Sequence, residues 1–313
     1  MRALVTGGAG FIGSYLIPEL LELGAEVVVF DAANEPKSLE AVWDRITYVR
    51  GDLASRPDLY RVMMSCRISD VFHLGAVLAG PCEENPVMGF AVNFQSTQTL
   101  LDAALARGVN RFIMLSSISV FGMDVTEPVQ DDAVKNPETI YGQTKLAGEH
   151  LLRWYARKHG IDARALRFTW VFGPGRTTGI TALYSSLILD AIARGEEVTI
   201  PNPDEKGDWL YIKDAVKAIL SLWRAEKPTQ RIYNIAGGVH TIREVAAIAC
   251  GYRLEARVTL VEGGKSVSPY PASYDDGPAR RDLGWNPEYT LQEAVKEHLD
   301  FVSGVSRKSI SSN

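Results

Sequence analysis

The chain has 313 residues, of which 46% are hydrophobic and 23% are charged, a balance that is typical of globular proteins. Its formal net charge of −5 and the lack of a long basic run argue against a nucleic acid or an anionic membrane as partner. No apolar stretch reaches the length of a transmembrane helix, and the chain is long enough for one large core with a smaller second lobe.

The cysteines and histidines argue against a disulfide framework or a metal centre. Cys66, Cys82 and Cys250 are odd in number and show no Cys-x-x-Cys spacing. The five histidines include no His-x-x-x-His pair, so we expect no metal cofactor. Because the first residues lead directly into a predicted strand and a glycine turn, we expect no signal peptide. A reducing cytoplasm is the expected location.

A strand, a glycine-rich turn, a helix and a second strand are predicted at the start of the chain. The turn Gly7-Gly8-Ala9-Gly10-Phe11-Ile12-Gly13 follows a strand at 2–6, and the second strand, at 26–30, ends on Asp31. In such a unit the glycines let the backbone approach a pyrophosphate, which lies on the helix N-terminus where free N–H groups attract anions. The alternative is an ordinary glycine turn, but an acid at the end of the second strand favours dinucleotide binding.

Asp31 also indicates which dinucleotide binds. Its carboxylate can accept hydrogen bonds from the adenosine ribose hydroxyls and would repel a 2′-phosphate. The residues that follow, Ala32, Ala33 and Asn34, include no arginine that could receive such a phosphate. The sequence therefore predicts NAD rather than NADP.

The alternation of strands and helices continues through the first half of the chain. Further strands are predicted at 46–50, 70–74, 111–115 and 163–168. This alternation predicts an α/β protein with a Rossmann-type, doubly wound parallel sheet and right-handed crossovers. The strand ends bring Asp52 to the adenine edge of the cofactor and Gly75-Ala76 beside it, and an intervening helix carries Asn93.

Ser117, Tyr141 and Lys145 form the candidate catalytic group. Ser117 lies at the carboxyl end of a predicted strand, where open α/β sheets bind ligands. The segment 141–158 has a helical apolar pattern, so Tyr141 and Lys145 share one face. An ammonium near a phenol favours the phenolate, which can take a proton from an alcohol that a serine hydroxyl orients. A Tyr-x-x-x-Lys pair is also common in surface packing, and the dinucleotide motif is the context that favours catalysis.

After Val171 the pattern changes, and a smaller lobe is predicted to close over the carboxyl edge of the sheet. The segment 201–207 is rich in turn residues and is predicted to be a loop. Helices are predicted at about 182–194, 214–223, 242–250 and 291–302, and one more sheet strand at 232–235. The predicted domains are a cofactor-binding domain at 1–170 and 208–238, a small substrate-binding lobe at 171–207 and 239–302, and a disordered tail at 303–313.

These motifs, in this order and at these spacings, resemble the extended short-chain dehydrogenases/reductases, the group that contains the NAD-dependent epimerases and dehydratases. The residues that carry the resemblance are Thr6-Gly7-Gly8-Ala9-Gly10-Phe11-Ile12-Gly13, Asp31, Gly51-Asp52-Leu53, His73-Leu74-Gly75-Ala76, Asn93, Ser116-Ser117, Tyr141-Gly142-Gln143-Thr144-Lys145, Phe172-Gly173-Pro174-Gly175 and Arg280-Arg281-Asp282-Leu283-Gly284-Trp285. The resemblance implies that Ser117 is the catalytic hydroxyl, that Tyr141 is the base, and that Lys145 binds the nicotinamide ribose while it lowers the tyrosine pKa.

The resemblance also implies the ligand contacts and a homodimer. The expected cofactor contacts are Gly7, Gly10, Phe11, Ile12, Gly13, Asp31, Asp52, Leu53, Leu74, Gly75, Ala76, Asn93, Tyr141 and Lys145. The expected substrate contacts are Leu78, Ser117, Ser119, Tyr141, Trp170, Arg176 and Thr178. In the dimer, two helices of each subunit would pack against their copies through an apolar patch that includes Leu101, Ala104 and Leu151.

Departures from the family pattern bear on the reaction and on the substrate. Dehydratases of the group follow the catalytic hydroxyl with Asp-Glu, where this chain has Ile118 and Ser119, so dehydration is not expected. Sugar-nucleotide epimerases tend to carry an asparagine and an arginine where this chain has Trp170 and Gly207. The alternative interpretation of Trp170 is a core aromatic residue.

The missing arginine can be replaced from elsewhere in the chain, so the substrate class stays open. Arg176, Arg280 and Arg281 are the candidates for a phosphate clamp, although a solvated helix start is the alternative for the last two. A looser, local similarity links the segments 77–81 and 270–276 to the short-chain type of L-threonine 3-dehydrogenase.

The leading hypothesis is an NAD-dependent, epimerase-like oxidoreductase that acts on a secondary alcohol of a sugar or related polyhydroxy compound. One alternative is an NAD-dependent dehydrogenase of a small hydroxy acid or amino acid. These two differ in whether NADH leaves the enzyme. An alternative of another class is a non-catalytic NAD-binding sensor or scaffold, although such proteins usually lose one of the three catalytic residues.

Overall fold

The central sheet contains seven parallel strands, and a computed structural model describes residues 1–263, 268 and 270–304 of the chain. The strands are β1 (Arg2–Thr6), β2 (Glu26–Asp31), β3 (Ile46–Arg50), β4 (Asp70–His73), β5 (Arg111–Ser117), β6 (Ala163–Phe168), β7 (Trp170–Phe172), β8 (Glu197–Pro201), β9 (Lys206–Tyr211), β10 (Ile232–Ile235), β11 (Val239–Thr241) and β12 (Arg257–Val261). The order in the large sheet is β10-β6-β5-β4-β1-β2-β3, so the strand order reverses next to β1. This is the predicted doubly wound, Rossmann-type α/β fold, which is confirmed.

Helices cover both faces of this sheet. They are α1 (Phe11–Glu22), α2 (Arg56–Ser65), α3 (Ala79–Glu84), α4 (Pro86–Phe90), α5 (Ser96–Arg107), α6 (Ile140–His159), α7 (Ile180–Leu183), α8 (Ser186–Arg194), α9 (Ile212–Arg224), α10 (Ile242–Tyr252), α11 (Gly277–Leu283) and α12 (Leu291–Val302). Short 3₁₀ segments lie at Lys37–Arg45 and Ile118–Val120, and a π-helical segment lies at Ala91–Gln95.

Two hydrophobic cores lie on opposite sides of the sheet. Leu59 of α2, Leu100 of α5 and Leu152 of α6 belong to one core. Leu16 of α1 and Ile219 of α9 belong to the other, which continues into the C-terminal part of the chain. Because both faces are covered, strands such as β4 and β6 are buried at every residue, which explains why their sequences do not alternate between apolar and polar residues.

The C-terminal part adds two small sheets. One has the order β11-β9-β7 and the other pairs β12 with β8. The predicted loop at 201–207 is wrong at both ends, because Pro201 ends β8 and the last two residues open β9. The turn itself is tighter: Asn202 has a positive φ of 48°, and the Glu205 N–H donates to its carbonyl at 3.0 Å.

One predicted helix is broken in the structure. The segment predicted as a single helix at 182–194 forms α7 and α8, because Ser185 leaves the helical conformation with φ −129° and ψ −93°. Its hydroxyl donates to the Thr181 carbonyl at 2.6 Å, which offers the backbone an alternative to a continuous helix.

The sequence also led to predictions about the C-terminal tail, membrane-spanning helices and the domain boundaries. The predicted tail at 303–313 begins as a turn after α12, and its remainder, 305–313, lies outside the described residues. Among the residues that the structure does describe, no helix combines the length and the hydropathy needed to cross a bilayer. The domain boundaries stay a prediction.

Trp285 is expected to contribute strongly to stability. It is 1% exposed, and its indole N–H donates to the Asp214 carbonyl at 3.0 Å, which attaches the end of α11 to α9. Trp285→Ala should lower the free energy of unfolding by about 3–5 kcal/mol, because it removes a large buried side chain. The matched control in urea denaturation is Trp43→Ala. Trp43 is 44% exposed, so its replacement should lower the free energy of unfolding by less than about 1 kcal/mol. Equal losses for the two variants would contradict this assignment.

Candidate active site

A cavity of about 630 Å³ lies at the carboxyl edge of the large sheet, beside the point where the strand order reverses. Open α/β sheets bind ligands in this position, and the volume suits a small molecule or cofactor. Most of the sequence-predicted residues line it: Gly7, Gly10, Phe11, Ile12, Gly13, Asp31, Asp52, Leu53, Leu74, Gly75, Ala76, Leu78, Ser117, Tyr141, Lys145, Trp170, Arg176 and Thr178. The two predicted residues that do not line it are Asn93 and Ser119.

Two glycines of the turn lie where no side chain fits. Only backbone therefore lines this part of the cavity, and a dinucleotide can approach it closely. Gly7 has a φ of +66°, and a Cβ there would lie 2.4 Å from the Gly75 Cα atom on the neighbouring strand end. A Cβ at Gly13 would lie 2.4 Å from the Gly8 carbonyl oxygen. Gly10 precedes α1 and supplies no side-chain cap, so the first N–H groups of the helix are open to an anion.

Asp31 is held in place by backbone donors. Its Oδ2 accepts a hydrogen bond from the Ala9 N–H at 3.0 Å, and its Oδ1 accepts one from the Ala33 N–H at 3.0 Å. The carboxylate therefore lies at the end of β2 beside the glycine turn, where the adenosine ribose of a dinucleotide would be bound. The residues present fit NAD.

The three candidate catalytic residues lie together. Ser117 ends β5, and Tyr141 lies in the first turn of α6, which begins where the Thr139 hydroxyl accepts a hydrogen bond from the Gly142 N–H at 3.0 Å. The Ser117 and Tyr141 side chains both line the cavity, and the Ser117 hydroxyl lies close enough to Tyr141 to lower the pKa of its phenol. Lys145 lies with its Nζ 5.6 Å from the centroid of the Tyr141 ring and donates to the Leu115 carbonyl at 2.8 Å.

Burial opposes the charged forms of both ionisable groups. It raises the pKa of Tyr141, as does the neighbouring Tyr270, whereas the Ser117 hydroxyl and the positive charge of Arg176 act in the opposite direction. Burial also lowers the pKa of Lys145 to about 8. The net shift of the tyrosine pKa is therefore upward, whereas the sequence argument expected a downward shift from Lys145. The reason is that desolvation outweighs the favourable interactions.

Arg176 supplies a second positive charge to the cavity. Its guanidinium donates to the Val171 carbonyl and, at 2.6 Å, to the Thr181 hydroxyl. Burial lowers its pKa to about 10, so it remains charged at neutral pH. Among the described residues that line the cavity, the positively charged ones are Lys145 and Arg176.

Trp170 occupies the space that an arginine clamp would need. It is 2% exposed and packs on Trp209 with ring centroids 5.9 Å apart, although it also reaches the cavity wall. A Cβ at Gly207 would lie 2.5 Å from the Trp170 ring, so no side chain fits at this position. Arg280 is paired with Asp276 through two hydrogen bonds of 2.7 and 2.8 Å and lies outside the cavity lining.

The two predicted residues outside the lining support it from behind. Asn93 is 4% exposed, accepts from the Val77 N–H at 2.7 Å and donates to the Val77 carbonyl at 2.9 Å and the Thr144 hydroxyl at 3.1 Å. It therefore fixes the loop that lines the cavity. Ser119 is buried, and its backbone N–H donates to the Ser117 hydroxyl at 3.1 Å, so its link to the site is through Ser117.

The sequence-based site prediction missed Tyr270. This residue lines the cavity near Tyr141 and lies beside Thr139, the cap of α6. Val129 holds the Tyr270 segment, since its N–H donates to the Ser273 carbonyl at 2.9 Å. The segment is notable in sequence for its Pro and Tyr content, but local pattern does not reveal a contact between residues so far apart in the chain.

Comparison with known proteins is consistent with this geometry. The model of the NAD dependent epimerase/dehydratase family matches residues 3–236. L-threonine 3-dehydrogenase, mitochondrial, of Sus scrofa is 29% identical, with an alignment that covers 98% of this chain and 84% of that protein. D-erythronate dehydrogenase of Cupriavidus necator is also 29% identical, over 96% of this chain and 98% of that protein.

A solved structure extends the comparison to a bound cofactor. The crystal structure of UDP-glucose 4-epimerase from Thermus thermophilus in complex with NAD has a TM-score of 0.85 and 26% identity. The superposition covers 97% of this chain and 99% of that one. The cofactor of this chain is accordingly NAD.

Asp31 is expected to discriminate between the two nicotinamide dinucleotides. NAD should bind much more tightly than NADP, because the fixed Asp31 carboxylate would repel a 2′-phosphate. Asp31→Ala should reduce the difference between the dissociation constants of NAD and NADP, because it removes this repulsion. Fluorescence titration of both cofactors at one salt concentration measures the dissociation constants. Comparable values for NAD and NADP in the wild type would contradict the assignment.

Proposed function

The chain belongs to the NAD-dependent epimerase/dehydratase family, and we propose that it oxidises a secondary alcohol through Ser117, Tyr141 and Lys145. The observation that carries this proposal is that Ser117, Tyr141 and Lys145 line one cavity, with the Lys145 Nζ atom 5.6 Å from the centroid of the Tyr141 ring. A non-catalytic sensor or scaffold is disfavoured, because all three groups are present and lie together.

The protein's own residues handle the proton and the orientation of the substrate. The Ser117 hydroxyl and the Tyr141 oxygen converge on the alcohol oxygen, and Tyr141 removes its proton. The Lys145 ammonium stabilises the phenolate, since an opposite charge nearby favours the charged form. NAD, when bound, supplies the acceptor for the hydride. In the reverse direction Tyr141 returns the proton to the carbonyl oxygen.

We propose that the substrate is a small hydroxy acid or amino acid and that NADH is released. Arg176 is a partly buried cation near Tyr141, and carboxylates are ligands that a guanidinium binds well. Gly207 and Trp170 leave no space for a second arginine to bind a diphosphate. L-threonine and D-erythronate, named in two of the relatives, both carry a carboxylate.

A sugar or sugar-nucleotide epimerase is the second candidate. The structural likeness to a UDP-glucose 4-epimerase favours it, as does the family model. An epimerase would retain NADH and return the hydride to the other face of a rotated ketone. The cytoplasmic location expected from the cysteine pattern remains a prediction in either case.

The first prediction from this mechanism concerns the base. Tyr141→Phe removes the ionisable oxygen and keeps the ring, so folding and NAD binding should survive while turnover falls about 10²-fold or more. Ser117→Ala should cost less, because it removes an orienting hydrogen bond rather than the base. Lys145→Met should move the rising limb of the pH–rate profile to more alkaline pH, because Tyr141 would lose a cation that favours its phenolate. A Tyr141→Phe variant with wild-type turnover would show that another group is the base.

The second prediction concerns the binding of the substrate carboxylate by Arg176. Arg176→Met should lower kcat/KM for a hydroxy acid by about 10- to 100-fold, the range for a lost hydrogen bond to a charged group. The same variant should change kcat/KM much less for the matching alcohol without a carboxylate. Arg280→Met is the control, because its guanidinium pairs with Asp276 outside the cavity lining. Equal losses on both substrates would argue against a carboxylate at Arg176.

The third prediction is a homodimer formed through α5 and α6. Leu101 and Ala104, which the sequence argument placed in the interface, are fully buried in the subunit's own core, so that detail is wrong. Leu105 is 38% exposed and Trp154 is 44% exposed, and these side chains replace them as candidates. Sedimentation at micromolar concentration should show a dimer that Trp154→Glu weakens. A monomer alone would contradict the proposal.

A further inference from the structure

A fully buried ion pair lies behind the candidate catalytic residues. Arg167 of β6 is 0% exposed and Glu149 of α6 is 1% exposed. The guanidinium donates from Nε to Oε1 and from Nη2 to Oε2, both at 2.7 Å. The desolvation of a buried pair commonly offsets its attraction, so apolar residues of similar volume would often serve stability equally well. What the ion pair adds is two parallel hydrogen bonds, which fix the orientation of the Arg167 guanidinium relative to the Glu149 carboxylate.

The Glu149 carboxylate ties the catalytic helix to the strand that carries Ser117. Glu149 follows Lys145 by four residues and Tyr141 by eight, so the three side chains share one face of α6. The Ser116 hydroxyl of β5 donates to Glu149 Oε1 at 2.6 Å. Because β5, β6 and α6 meet at one carboxylate, α6 cannot slide along β5 without breaking a hydrogen bond.

Arg167 is also linked, through hydrogen bonds from its Nη1 atom, to a second segment that lines the cavity. Its Nη1 donates to the Asp131 carbonyl at 2.9 Å and to Asn234 Oδ1 at 3.3 Å. The Asn234 side chain in turn donates to the Val129 carbonyl at 3.0 Å. Val129 pairs with the segment that carries Tyr270 into the cavity lining. One guanidinium therefore positions both the catalytic helix and this segment.

We propose that Ser116 and the Glu149–Arg167 pair act as positioning residues that set the position of Tyr141 on α6 relative to Ser117 on β5. The proposal rests on the proposed function, since it takes Tyr141 to be the base. Ser116 is the informative position to change, because Ser116→Ala removes the tie to the strand and leaves both hydrogen bonds of the ion pair in place.

Ser116→Ala should lower kcat about 10-fold, because small displacements of a reacting group are costly. The rising limb of the pH–rate profile should move to more alkaline pH, because the nearby Ser117 hydroxyl lowers the pKa of Tyr141 and a displaced Tyr141 would lose this effect. Ser69→Ala is the matched control: Ser69 accepts from the Arg2 N–H at 2.9 Å and donates to Asp70 at 2.8 Å at the opposite edge of the sheet. It should change stability without moving the pH profile.

A double-mutant cycle separates positioning from general destabilisation. If Ser116 acts through Ser117, Ser116→Ala should have no further effect on kcat in a Ser117→Ala background. Additive losses, or a Ser116→Ala variant with the wild-type pH profile, would overturn the proposal. Ser116→Thr, which keeps the hydroxyl, should keep the wild-type profile, and a shift as large as that of Ser116→Ala would also overturn it.

A measurement without turnover keeps this proposal distinct from the proposed function. In ¹³Cζ-tyrosine NMR, the Tyr141 resonance is assigned by its loss in Tyr141→Phe. Ser116→Ala should raise the pKa that this resonance reports, and Ser69→Ala should not. A wild type that oxidises no alcohol would refute the proposed function alone, whereas an unchanged Tyr141 titration in Ser116→Ala would refute the positioning role.

Discussion

The close approach of Gly7 and Gly75 is the constraint on which the site depends. These residues follow β1 and β4, which are neighbours at the point where the strand order reverses, and a Cβ at Gly7 would lie 2.4 Å from the Gly75 Cα atom. Only bare backbone fits there. The crevice that opens above it is bounded by the N-terminus of α1 on one side and, on the other, by the Val77 loop that Asn93 fixes.

Charge is divided along this crevice in a way that matches the proposed chemistry. Asp31 and Asp52 line the end near the glycine turn, and Lys145 and Arg176 line the end near Tyr141. Burial disfavours both the phenolate and the ammonium, because it raises the tyrosine pKa and lowers the lysine pKa to about 8. The interactions that oppose this effect at Tyr141 come from the Ser117 hydroxyl and the positive charge of Arg176.

The structural features that could be predicted from the sequence are those that depend on a short stretch of residues. Continuous apolar runs revealed the strands of the large sheet, and the glycine turn with Asp31 revealed the cofactor end of the cavity. Contacts between distant segments were not predictable in this way: β8 pairs with β12, and Tyr270 lines the cavity from a segment that pairs with Val129. The break between α7 and α8 depends on one serine hydroxyl, which helical periodicity does not reveal. Leu101 and Ala104 were expected in a dimer interface because of the family resemblance, but both are fully buried in the subunit's own core.

The central claim is that this family member oxidises a small hydroxy acid or amino acid and releases NADH. The most direct test mixes the protein with NAD and a panel of small hydroxy acids, amino acids and sugar nucleotides. Absorbance follows NADH, and NMR follows the sugar. The account predicts that NADH accumulates beyond one equivalent per subunit with at least one carboxylate-bearing substrate. Epimerisation of a sugar nucleotide without NADH release, and no NADH from any acid, would contradict it.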